Sequence, residues 1–348
     1  MDVIKKINTR FKDYTNSRRP KKNPIKWGII GTGYMATTFC RAIQGNEKSI
    51  VSAVYSRTNE KGKTFAKRFN IPFSTNKFQD FFDGNKFDIV YIATPTHHHY
   101  EHVKKCLCAG FNVLCEKPLV TSLKNFDELQ EIARKNKCFL MEGMWSKCLP
   151  TFAQAQKWIK EKRIGSIELI RVDFYKNQIR MNPDQYISKN DYGVLNDYGI
   201  YALSFPQEFL SGKYIMSWNK RIIENNIDTD WAIILDSTES KAFLNISSNF
   251  KGESRARIYG NDGSIEFGSQ FNRTNTVSLY NRQGNLLERK TYQYIFDGFE
   301  YQVNEVHSCL QTGRLESNLI PLKKTRQTLL IMSILRKEND ERRREIQI

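Results

Sequence analysis

The sequence lacks any long hydrophobic run. Although 40% of its 348 residues are hydrophobic, no stretch approaches the roughly 20 uninterrupted apolar residues that a helical membrane span requires. The opening segment "MDVIKKINTRFKDYTNSRRPKKN" is basic and has no apolar centre of the kind that marks a secretory signal, so a cytoplasmic location is expected. Cysteine is sparse and odd in number, seven in all, which argues for reduced thiols rather than a disulfide framework. No C-x-x-C occurs, and "CLC" at 106–108 has the wrong gap for the common metal or redox motifs. Acidic residues are in deficit, 37 against 54 lysines and arginines, giving a formal charge of +17. Much of that excess lies near the ends, in "RRPKK" and "RRR". No zinc-finger, homeodomain or RNP pattern accompanies it, so neither a nucleic acid nor a membrane is the expected partner. The charge suits an anionic or phosphorylated small molecule. Residues 1–24 read as a basic arm and 336–348 as a charged tail.

What is present between them has two textures. "KWGII" (26–30), "SIVSAVYS" (49–56), "FDIVYIAT" (87–94), "FNVLCEKP" (111–118) and "CFLMEGM" (138–144) are nearly continuous apolar runs, as strands buried on both faces must be. Helix-like stretches alternate with them, which predicts an α/β Rossmann domain over 25–145 with a doubly wound parallel sheet. The first strand enters "GTGYMA", a G-x-G-x-x-A fingerprint. Gly31 permits the tight turn, Gly33 lets the backbone approach a pyrophosphate, and Ala36 lets the helix lie close to the strand. Thr32, Tyr34 and Met35 complete a candidate cofactor loop whose helix N-terminus offers free amides to phosphates. At the end of the second strand, Ser56 and Arg57 stand where an acidic residue would bind the ribose hydroxyls. A guanidinium attracts a 2′-phosphate that a carboxylate repels, so NADP(H) is favoured, with NAD(H) left open.

Four of the five histidines fall within positions 97–102, a density that suggests metal. A helix from Thr96 to Gly110 would place His99, Val103, Cys106 and Leu107 on one stripe. Adjacent histidines on one helical turn do not converge on an ion, and no H-E-x-x-H follows, so no metal is assigned. His99 is expected to pack beneath the cofactor loop that Thr94 and Pro95 shape. In "VLCEKPLV", Glu116 and Lys117 end an apolar strand at the sheet edge where ligands bind, a costly place for charge without a partner or ligand.

After residue 150, "IELIRVDFY", "TDWAIILDS", "SKAFLNISSN", "SRARIYG" and "GSIEFG" are strand-like, with "GNDGS" as a hairpin signal. They predict an α+β domain over 146–335 with a mainly antiparallel, open-faced sheet. Its last two helices, "FEYQVNEVHSCLQTG" and "PLKKTRQTLLIMSILRKE", are expected to return to the first domain, with His307 as a surface or packing residue.

Together "GIIGTGYMA", "ATPTHHHYEHV", "CEKPL", "MEGMW" and "LNDYGIYAL" resemble the Gfo/Idh/MocA oxidoreductase family, and most of all its branch holding dimeric dihydrodiol dehydrogenase and glucose-fructose oxidoreductase. The resemblance spans roughly residues 25–335 and implies hydride transfer between a nicotinamide and a hydroxyl or carbonyl carbon of a sugar or sugar derivative, phosphorylated or nucleotide-linked forms included. A trans-dihydrodiol is the alternative substrate, and a non-catalytic NADP(H)-binding regulator the alternative function. It implies that Lys117 contacts the reacting oxygen and that Tyr201 is the general acid/base. A free tyrosine titrates at about 10, and a neighbouring ammonium would bring that down. Asp197, four residues earlier and on one helix face with Tyr201, would orient substrate or tune the tyrosine. Trp145 either lines the substrate pocket or belongs to the core. Two departures stand out: the family's glycine-rich lead into the catalytic helix is reduced to "DYGVLND", and Lys147 replaces the usual arginine, losing its bidentate fork. A homo-oligomer, dimer or tetramer, through the second sheet is implied as well.

Overall fold

A computed structural model describes residues 24–84, 87–177, 193–223, 227–249, 251–337 and 343–348. The basic arm therefore lies, but for Pro24, outside the described residues. The chain divides into two compact units, the first made of 1–120, 124–145 and 294–322, the second of 121–123, 146–293 and 323–348.

The first unit is built on six parallel strands in the order β3-β2-β1-β4-β5-β6. They are β1 (Ile25–Ile30), β2 (Ser49–Tyr55), β3 (Phe73–Thr75), β4 (Ile89–Ile92), β5 (Asn112–Glu116) and β6 (Leu140–Gly143). Helices α1 (Tyr34–Gln44), α2 (Asn59–Phe69), α3 (Phe78–Phe82), α4 (His99–Cys108) and α5 (Leu123–Lys135) connect them. Strands β4 and β6 are buried at every position, which is why they read as unbroken apolar runs rather than alternating ones. The five expected strands are present. The sixth, β3, was not foreseen, because "FST" is too short to show a period.

A further helix, α8 (Phe299–Gln311), joins this unit and packs on α1. His307 on α8 is buried, with Nε2 2.8 Å from Ser49 Oγ, while Trp27 Nε1 donates to the same oxygen at 3.1 Å. Ser49 Oγ thus bridges the indole and the imidazole inside the core. Burial and the Lys48 charge push His307 down to about 4.

The second unit carries nine strands in the order β14-β13-β12-β11-β7-β10-β9-β8-β15. In chain order they are β7 (Ile167–Tyr175), β8 (Lys213–Ile223), β9 (Ile227–Asp236), β10 (Lys241–Ser247), β11 (Arg255–Gly260), β12 (Gly263–Phe267), β13 (Thr276–Asn281), β14 (Leu286–Thr291) and β15 (Arg343–Gln347). Pairing is antiparallel except between β7 and β10. One face buries Ile170, Val172, Phe174, Leu244, Ile246, Ile258 and Phe267, while Arg171, Lys241 and Arg255 on the other are exposed. The helices α6 (Pro150–Lys160), α7 (Ile200–Ser204) and α9 (Leu322–Lys337) belong to this unit. The hairpin expected at "GNDGS" joins β11 to β12, with Gly260 opposite Gly263.

Two expectations are corrected. The two C-terminal helices do not travel together: α8 completes the first unit, whereas all of α9 beyond Leu322 groups with the second. The reason is the apolar side of α8, whose Val303, Val306 and His307 are buried in the first unit's core. Nor is 336–348 simply a charged tail. Residues 343–347 pair antiparallel with Ser217–Lys213 as an edge strand, with Ile346 buried. Ladder hydrogen bonds need no apolar sequence, so a run of charges concealed the strand.

Candidate active site

The glycine loop closes β1 onto α1. Gly31 has φ +108°, and a Cβ there would lie 2.6 Å from the Ala93 carbonyl oxygen, so only glycine fits. Gly33 is exposed, has an ordinary φ of −82°, and nothing lies within 4 Å of where its Cβ would stand. Gly33 has no side chain to cap α1, so among the described residues the amides of Tyr34, Met35 and Ala36 are first-turn donors that no helical carbonyl satisfies. Ala36 is fully buried and Tyr34 stands 81% exposed. An open approach, free amides and the positive end of a helix dipole together fit a dinucleotide pyrophosphate. At the end of β2, Ser56 is buried and its amide donates to Thr75 O. Arg57 is exposed, with no ion pair among the described residues.

The histidine run resolves as expected on α4: His99, Val103, Cys106 and Leu107 are its buried residues. His97 is exposed, and His98 stacks over His102, whose Nδ1 lies 3.1 Å from Thr94 Oγ1. His99 sits between two carbonyls, Nδ1 2.8 Å from Pro118 O and Nε2 2.8 Å from Thr94 O. It thus ties the loop after β4 to the loop after β5. Burial presses His99 toward the neutral form, while the two carbonyls work the other way.

That second loop carries Lys117, half-buried at the carboxyl end of β5, and the Lys117–Pro118 peptide is cis. Three buried groups hold its main chain. The Lys117 amide donates to the Glu116 carboxylate, Pro118 O accepts from His99, and the Leu119 amide donates to Glu142 Oε1 at 3.0 Å. Glu116 is only 4% exposed, and its Oε1 accepts from the Tyr91 hydroxyl at 2.5 Å. Burial pushes Glu116 up to about 7, against the opposing pull of Tyr91 and Lys117. Trp145, past the end of β6, is 6% exposed and stacks on Phe299 with ring centroids 4.5 Å apart, as a core residue does.

In the second unit, Tyr201 is the second residue of the short helix α7, at 8% exposure, its ring 6.1 Å from Phe174 on β7. The preceding turn, Leu195–Gly199, is π-helical. Asp197 and Tyr201 are therefore not joined by regular α-helix as expected, and the wider π turn rotates one relative to the other. Asp228 anchors this segment, accepting from the Leu195 amide at 2.8 Å and from Trp231 Nε1 at 2.7 Å. Gly193 makes room for it, since a Cβ there would lie 1.9 Å from Asp228 Oδ1. The surviving glycine of "DYGVLND" thus has a packing reason. Lys147 forms a buried ion pair with Glu208 at 2.8 Å, and Lys324 adds a second at 3.0 Å.

Two family models match in order along the chain: "Oxidoreductase family, NAD-binding Rossmann fold" over residues 25–144 and "GFO/IDH/MocA C-terminal domain" over residues 152–266. The chain belongs to the Gfo/Idh/MocA oxidoreductase family. Among curated relatives, trans-1,2-dihydrobenzene-1,2-diol dehydrogenase of Xenopus laevis is 29% identical over 88% of this chain and 96% of its own length. The scyllo-inositol 2-dehydrogenase (NADP+) of Bacillus subtilis is 28% identical over 90% of this chain and 97% of its own. The aldose-aldose oxidoreductase of Caulobacter crescentus shares the fold at a TM-score of 0.80 and 20% identity, over 94% of this chain and 100% of that one. As a Gfo/Idh/MocA protein the chain pairs a nicotinamide-dinucleotide domain with a mostly antiparallel second domain. No described helix is long and apolar enough to cross a membrane.

Sequence reasoning missed Tyr91, Glu142 and Asp228. Each acts through a partner on another strand or segment, and nothing in the local sequence marks the pairing. The one available signal was that a glutamate inside "FLMEGM" needs a buried hydrogen-bond partner.

Proposed function

We propose that this Gfo/Idh/MocA protein oxidises a secondary hydroxyl, or reduces the corresponding ketone, of a sugar-like molecule with NADP(H) as hydride carrier. The observation that carries this is the triply held main chain around Lys117. Such pre-organisation is what a catalytic ammonium requires, and a surface lysine does not have it. The dinucleotide would be held by the backbone of Gly31, Thr32, Gly33, Tyr34 and Met35, by Ser56 and Arg57 at the ribose, and along Thr94 and Pro95. When bound, its nicotinamide accepts or supplies the hydride. The chain's own residues manage the proton and the charge. Lys117 stabilises the substrate oxygen as it gains alkoxide character. Tyr201 removes the hydroxyl proton in oxidation and returns it in reduction, with Asp197 orienting the substrate. Trp145 supports the site from the core. Arg57 in place of an acidic residue favours NADP over NAD. Exposed Ile215 (39%) and Ile234 (37%) on the open sheet face fit a homo-oligomer.

The test has two stages. NADPH and NADH are titrated by nicotinamide fluorescence against the wild type and Arg57→Ala, with the substitution expected to weaken NADPH by at least about tenfold and NADH little. Turnover is then followed with scyllo-inositol, aldoses and a trans-dihydrodiol. Lys117→Met and Tyr201→Phe should each lower kcat about 10²- to 10⁴-fold. Wild-type turnover by Lys117→Met would end the catalytic reading.

A further inference from the structure

Thr94, just past the end of β4, is gripped by two histidines one turn apart on α4. His99 Nε2 lies 2.8 Å from its carbonyl oxygen, and His102 Nδ1 lies 3.1 Å from its hydroxyl. The Cγ2 methyl on the same β-carbon faces the glycine loop, 3.3 Å from the place a Cβ on Gly31 would take. A hydroxyl bonded on one branch and a methyl packed on the other leave a threonine a single χ1 rotamer. His102 is itself held on three sides. His98 stacks on it with ring centroids 5.5 Å apart, Phe78 on α3 lies at 5.3 Å, and Tyr55, the last residue of β2, meets it edge-on at 6.4 Å. Phe78 and Tyr55 stack on each other at 4.0 Å, so these rings form one block. The sheet order β2-β1-β4 sets its two anchor points, the end of β2 and the loop after β4, on either side of the strand that enters the glycine loop. Burial, with His98, His99 and Lys105 adding to it, brings His102 down to about 4, so at neutral pH the contact with Thr94 is a hydrogen bond between uncharged groups.

We infer that His102 is a positioning residue for the dinucleotide: by bonding the Thr94 hydroxyl it fixes the wall on which the Gly31 turn, and with it the amides of the glycine loop, is seated. The inference rests on the proposed function, in which Thr94 borders the cofactor. It concerns the part of the cofactor that NADPH and NADH have in common. Loss of the hydrogen bond therefore weakens both alike, whereas loss of the Arg57 guanidinium separates them.

Titration of the whole protein with NADPH and NADH, followed by nicotinamide fluorescence, tests it. His102→Phe keeps a stacked ring and removes Nδ1; it should weaken both dinucleotides about three- to tenfold, the effect of one neutral hydrogen bond. His102→Asn gives up the ring but sets an amide where Nδ1 stood, and should keep most of the affinity. Thr94→Val removes the hydroxyl and keeps the methyl. In that background His102→Phe should have no further effect, because the two substitutions break the same bond. Additive losses overturn the inference, since His102 would then act by another route. So does a loss confined to NADPH, and so does tight binding by His102→Phe with weak binding by His102→Asn, which would make the ring a packing residue only. Should His102→Phe not fold, His102→Leu takes its place in the cycle. A wild type that binds neither dinucleotide overturns the reading of the cleft and this inference together, whereas a wild type that binds, with His102→Phe binding equally well, overturns this inference alone.

Discussion

Two glycines two residues apart should fail in opposite ways when given a methyl group. At Gly31, alanine must adopt φ +108° and place its Cβ 2.6 Å from the Ala93 carbonyl oxygen. The backbone conformation alone costs on the order of 1–3 kcal/mol. The clash adds to it, because the atom in the way is main chain from the end of β4 and cannot rotate aside. Gly31→Ala should lose about 2–4 kcal/mol of stability. At Gly33 the φ of −82° suits any residue, and the space is open. Gly33→Ala should leave stability unchanged or raise it by about 0.4–1 kcal/mol through the unfolded chain. Its methyl would stand where the pyrophosphate comes closest, so NADPH affinity should fall by tenfold or more while the fold persists. Urea unfolding and NADPH fluorescence on both variants give the four numbers needed. If Gly33→Ala binds NADPH as the wild type does, the phosphates do not approach the chain there, and the reading of the loop is wrong.

Two stability predictions follow from buried charge. His307 falls from 6.5 to about 4 on folding, so the unfolded chain takes up a proton first as pH drops. The stability this represents is complete above about 6.5 and is lost as pH falls from there toward 4. Between pH 7 and 5 it amounts to one and a half pH units at about 1.4 kcal/mol each, so about 1–2 kcal/mol after allowing for some water access. Urea midpoints should show His307→Gln losing less than the wild type over that interval, and an equal loss would rule the mechanism out. Lys147 and Glu208 form an ion pair with both side chains at most 5% exposed. Lys147→Met should cost about 3–5 kcal/mol by leaving the carboxylate with only the outer Lys324, seen as a lower thermal midpoint. A change below about 1 kcal/mol would mean that the pair contributes nothing net.

How much of this was legible in the sequence depended on how local the physics was. The glycine loop, the α4 stripe of His99, Val103, Cys106 and Leu107, and the β11–β12 hairpin each rest on spacing within a dozen residues, and the structure has them as read. Strand β3 is too short to carry a period, and β15 is made of charges whose only reason to be a strand is the partner backbone at β8. The π turn at Leu195–Gly199 looks like α-helix in any pattern of apolar spacing. The groups around Lys117 were half visible. "CEKPL" announced a charge that needed company, but the company depends on sheet order. Tyr91 comes from β4, paired in register with β5, and Glu142 from β6 on its other side.

The division of the C-terminal helices has a consequence for how the protein is made. A ribosome delivers residues 25–145 first, yet the side of α1 that meets α8, and the Trp27–Ser49 pair that receives His307, are not covered until residues 299–311 emerge. Between the two comes most of the second unit. The nucleotide-binding half must therefore wait, with an apolar flank uncovered, while about 150 further residues are synthesised. A fragment cut at the apparent domain boundary near 145 would keep that flank bare for good and should be prone to aggregate, whereas a shortened chain that splices 294–322 back onto it by a linker should stay dispersed.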